Sequence, residues 1–131
     1  MYASQLLRDP AATYRRVDMA GRTATADGPA LVQLLYEELV AALRAAAWAA
    51  ERGHFAARSD RVTRATAILF ALEAGLDFDA GGQVSATLAK LYAGARATVL
   101  AAAMGDDPRP FRDTADTLED IAAAWRTARA A

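Results

Sequence analysis

The chain has 131 residues, 15 basic and 16 acidic side chains, and no cysteine. That length suits one domain with a sizeable core. A formal charge of −1 supplies no single-sign field for nucleic acid or a membrane surface. The lack of thiols excludes a disulfide framework and thiolate chemistry, in keeping with a cytoplasmic protein. Thirty-six residues are alanine, whereas only two are isoleucine and six valine. Alanine favours helix, and β-branched residues are what strands are made from. No apolar run approaches a membrane span, and the first residues lack the apolar core of a signal peptide.

Residues 1–27 form a mixed N-terminal segment. Asp9-Pro10 can start a short helix, with Asp9 as N-cap and Pro10 at the first helical position. Tyr14 and Val17 share one side of it, and Gly21 ends it. The first long helix is predicted from Pro29 to Arg52, with Asp27 as N-cap and Gly53 as the stop. Val32, Leu35, Leu39, Ala42, Leu43, Ala46 and Ala50 make its core face. Gln33, Glu37, Arg44 and Glu51 make its wet face, and Trp48 falls on the wet side too. The second helix, Phe55 to Gly75, aligns Val62, Ala65, Leu69, Leu72 and Leu76.

A short Asp/Gly loop then leads into the most apolar helix. From Gly82 to Met104 only Lys90 and Arg96 carry charge. Val84, Leu88, Leu91, Tyr92, Ala95, Val99 and Ala102 recur at three- and four-residue steps as an inner stripe. Ala89, Ala93, Ala97, Leu100 and Met104 form a second apolar stripe. Such a helix either sits centrally or keeps one face for a partner. Periodicity alone leaves both possibilities open. The last helix, Pro108 to Ala130, turns Phe111, Ala115, Leu118, Ala122 and Trp125 inward. The expected fold is all-α: one domain over 1–131, an antiparallel up-and-down four-helix bundle over 28–131 with an additional short N-terminal helix.

No catalytic pattern emerges. A carboxylate-bridged metal bundle needs inward Glu and Glu-x2-His motifs, but the single histidine, His54, adjoins a helix stop. Asp77 and Asp79 suit a turn and helix N-cap. Gly81-Gly82 lacks the lysine and preceding strand of a phosphate loop. No cofactor or metal is expected.

The run Leu76-Asp77-x3-Gly81-Gly82-x5-Leu88-x2-Leu91-Tyr92 resembles the loop-and-helix signature of FliS, a family of bacterial flagellar secretion chaperones. Three further pieces are colinear with it: Pro10-x3-Tyr14, the Leu31-Val32-Gln33-Leu34-Leu35-Tyr36-Glu37 segment, and Leu118-x6-Trp125. Gly94 departs from the pattern, since many relatives carry an aromatic there. The resemblance implies a non-catalytic cytoplasmic export chaperone. It would hold the disordered C-terminal segment of flagellin, prevent premature polymerisation, and meet the export gate when loaded. The resemblance places Tyr14, Leu76 and Asp77 among the partner-binding residues; Val17, on the side of Tyr14, and the second stripe of Ala89, Ala93, Ala97, Leu100 and Met104 complete the expected set. Neither nucleic acid nor membrane insertion is implied, and the chain is expected as a monomer or weak homodimer. The alternative is a self-associating structural bundle that uses the same apolar face for dimerisation.

Overall fold

A computed structural model describes residues 28–130. Four helices follow one another: α1 (Gly28–Glu51), α2 (Phe55–Ala74), α3 (Phe78–Ala103) and α4 (Arg109–Ala130). No strand occurs among the described residues. The expected N-terminal helix, Tyr14, Val17 and the Asp27 cap lie outside the described residues.

The helices pack as α1 on α2, α1 on α4, α2 on α3 and, more thinly, α3 on α4. Residue pairs along α1 and α4 advance in opposite senses. The Tyr36 and Trp125 rings pack tilted to each other, centroids 4.8 Å apart, Arg44 reaches Asp116 at 3.0 Å, and Glu51 pairs with Arg112. Between α2 and α3, Glu73 pairs with Arg96, and the Arg58 guanidinium donates to the Gly105 carbonyl just past the end of α3. These partly exposed ion pairs fix register more than they stabilise, each contributing about 0–1 kcal/mol.

Stability comes from the core. Tyr36, Leu35, Leu39, Leu43, Ile68, Leu69, Tyr92, Val99, Phe111 and Leu118 are fully buried, each large apolar side chain contributing about 1.5–3 kcal/mol. The inward stripes read from α2 and α4 hold, with Leu76 and Trp125 half-buried at the edge. The central helix is α1, where twelve of 24 residues are buried; in α3 only five of 26 are. This breadth of burial corrects the wet-face placement of Gln33, which is buried and contacts Glu37 through its amide nitrogen at 3.4 Å. It also makes α3 a peripheral helix: among the described residues, none covers the face that carries Ala97, Leu100 and Met104.

Turn chemistry sets the connections. Gly53, at φ 68°, closes the α1–α2 turn, a conformation that glycine adopts without a Cβ penalty. Asp107 opens α4: its carboxylate accepts from the Arg109 backbone N–H at 3.0 Å and from the Arg109 guanidinium, which holds the carboxyl below its ordinary range.

Candidate functional site

The α2–α3 loop is built by four residues. Asp77 is the N-cap of α3, its side chain accepting from the Ala80 N–H at 3.0 Å. The Asp77 carbonyl accepts twice, from the Gly81 N–H and from the Ser85 hydroxyl, both at 2.8 Å. A Cβ on Gly81 would lie 2.0 Å from Ser85 Oγ, so that position admits only glycine while the serine bond stands. Gly82 sits at φ 51°, ψ −123° and breaks α3 just inside its start. These angles match the first central residue of a type II′ turn, where glycine dominates. Thus α3 begins at Phe78, as one turn followed by a kink.

The kink explains one misplaced residue. Val84, expected on the inner stripe, is 67% exposed. Ser85 takes the inward position instead, drawn there by its bond to Asp77. Beyond the kink Tyr92, Ala95, Val99 and Ala102 are buried as expected, while Leu88 and Leu91 are half-buried against the core.

Beside this loop lies a groove of about 360 Å³, lined by Val32, Leu72, Leu76, Leu88, Tyr92 and Trp125 along with the loop itself. A neighbouring apolar hollow of about 350 Å³ shares Val32 and Trp125 and adds Pro29 and Ala128. Together they make one apolar surface across the start of α1, the end of α4 and the α2–α3 loop. Tyr36 supports it from below, packed against both Trp125 and Tyr92.

Of the expected partner-binding residues, Leu76 and Asp77 border this groove, Leu76 half-buried and Asp77 exposed. The α3 stripe lies on a different side of its helix. Ala89 and Ala93 are half-buried, and Ala97, Leu100 and Met104 are exposed, Met104 at 91%. Gly94 is exposed, with open space where a Cβ would stand. It lines a shallow hollow of about 280 Å³ between α3 and α4. The sequence reading assigned Val32, Leu72 and Trp125 to the core and missed them as groove lining. Their place at helix ends, where packing against neighbours runs out, was the available signal.

Among the described residues no group of His, Asp or Glu is placed to hold a metal ion. None of these helices is long and apolar enough to cross a membrane.

The family model described as "Flagellar protein FliS" matches residues 10–131. The chain belongs to the FliS family. It is similar to the flagellar secretion chaperone FliS of Salmonella typhimurium strain LT2, with 27% identity over 114 residues, 86% of this chain and 84% of that protein. In this FliS-family chain, the Asp77, Gly81 and Gly82 of the sequence signature are the residues whose backbone geometry forms the loop.

Proposed function

We propose that this protein is a flagellar secretion chaperone that binds the disordered C-terminal segment of flagellin in the cytoplasm, keeps it from polymerising and delivers it to the export apparatus. Family membership supports the chaperone role, and the relative's printed name supports secretion. The observation that carries binding is the bare apolar stripe on α3. A peripheral helix that exposes Ala97, Leu100 and Met104 leaves a smooth face against which another helix can approach closely. Methionine adapts to varied partners, and helix-in-groove recognition needs such a face.

We assign the cargo a path along Ala89, Ala93, Ala97, Leu100 and Met104, with one apolar side chain entering the groove beside Leu76 and Asp77. The opposed progress of contacts along α1 and α4 supports an up-and-down antiparallel bundle as the scaffold. Tyr14 and Val17 complete the proposed set, as an N-terminal cover over part of the cargo surface in the empty state. The chaperone acts by binding alone, without catalysis or cofactor.

A flagellin C-terminal peptide added to the purified chain tests this reading. Light scattering should give a one-to-one complex, and circular dichroism should gain helix signal beyond the sum of the parts, because the segment folds as it binds. A dimer that ignores the peptide would favour the self-associating bundle.

A further inference from the structure

The opposite end of the bundle carries a second surface, about 24 Å along α1 from Val32 at 1.5 Å per residue. There Trp48 and Phe55 are 53% and 58% exposed. The Arg52 guanidinium lies 3.9 Å above the Trp48 ring and donates to the Trp48 carbonyl. The His54 ring also meets Trp48 in an edge-type contact, centroids 5.9 Å apart. The Arg58 guanidinium lies 4.9 Å over the Phe55 ring and donates to the Gly105 carbonyl at 2.5 Å. That carbonyl follows the exposed Met104, so the α1–α2 and α3–α4 turns meet at one corner.

Neither arginine pairs with a carboxylate among the described residues. The adjacent acids Glu51 and Asp107 are held by Arg112 and Arg109; Asp60 and Asp106 stand exposed at the rim. Each guanidinium has five N–H donors and gives one to a backbone carbonyl, which leaves donors for an incoming carboxylate. Stacking on an aromatic face holds the fork in place beforehand, so less entropy is lost when a carboxylate docks. Exposed Trp next to ordered Arg is also the composition of interface hot spots.

We propose that this corner docks a short acidic segment of a partner protein. Carboxylates settle on Arg52 and Arg58, and an apolar side chain packs against Trp48 and Phe55. Two arginines on a chain of net charge −1 do not make a phosphate track, so a protein carboxylate fits better than nucleic acid.

The test is an NMR titration of the full chain with a synthetic peptide of glutamates around one leucine and one phenylalanine. Its glutamine counterpart and a single-stranded oligonucleotide serve as comparisons. The two indole N–H signals are assigned through Trp48→Phe. The acidic peptide should shift the Trp48 signal and leave Trp125 in place. Arg52→Lys, which keeps the charge but loses the planar fork, and Arg58→Ala should each weaken binding by about tenfold while melting as the parent does. The glutamine peptide should bind at least about tenfold more weakly. Equal binding of the glutamine peptide, tighter binding of the oligonucleotide, or no Trp48 shift would overturn the proposal. So would self-association that Trp48→Ala abolishes, because a second copy would then be the occupant.

Discussion

The hydroxyls of Tyr36 on α1 and Tyr92 on α3 lie 2.6 Å apart inside the core. These two helices do not pack directly on each other, so the phenol pair bridges the bundle across its diagonal. It also supports the groove through Trp125, which packs tilted against Tyr36. Burial, followed by the neighbouring Tyr36, holds the Tyr92 phenol above its usual range.

Tyr36→Phe removes the bond and leaves the Tyr92 hydroxyl buried without it. That should cost about 1–3 kcal/mol, measured by denaturant unfolding. Pairing it with Tyr92→Phe should cost less than the two single losses added together, because the stranded hydroxyl goes too. The sign of the pH effect follows from proton counting. The folded phenol keeps its proton where the unfolded one, near its ordinary value of 10.0, releases it. Stability is therefore fully present below pH about 10 and falls as pH rises above it. In Tyr92→Phe, this part of the alkaline loss should disappear.

The glycines predict opposite outcomes for the same substitution. Gly82→Ala forces a side chain onto φ 51°, ψ −123° and should lower stability by about 1–3 kcal/mol. Gly94→Ala meets nothing within 4 Å on an exposed helical position, and should raise stability by about 0.5–1 kcal/mol. Thermal melts of the two variants should move in opposite directions.

Core truncations should follow burial. Leu69→Ala, at a fully buried site, should cost about 2–5 kcal/mol. Leu88 is half-buried beside the groove, so Leu88→Ala should cost less than that range. Equal losses in urea unfolding would show that the groove is closed over Leu88 in solution.

Helix existence, the α2 and α4 core stripes and the Asp77 cap were legible in the sequence because each rests on local spacing. The position of Gly82 as a break was not. A Gly-Gly pair marks a turn, but whether α3 starts before or after it depends on Ser85 reaching back to the Asp77 carbonyl. For that reason Val84 left the inner stripe and Ser85 took the inward position. Gln33 was read as wet because periodicity assigns one buried stripe per helix, whereas α1 is enclosed on several sides. The groove was invisible as well, since its lining comes from separate helices and apolar residues at helix ends look like core. The bare stripe on α3 was visible as a pattern, but its exposure depended on which helix is central.

Removing residues 1–20 tests the proposed N-terminal cover. The remaining chain should fold with helix content close to the parent's, because the described core is made by α1–α4. Its affinity for the flagellin peptide should change. Loss of folding in circular dichroism would make the segment structural instead.

The central claim is that the α3 stripe receives cargo, and calorimetry of Ala97→Glu with the flagellin C-terminal peptide tests it most directly. Ala97 is exposed in the free protein, so the substitution should change stability by under about 0.5 kcal/mol. In the complex the same carboxylate would be buried without a partner, and binding should be lost or severely weakened. A variant that melts like the parent and no longer releases heat with the peptide is the predicted result. A variant that melts normally and binds with parental affinity would contradict the account and leave the stripe as bare surface.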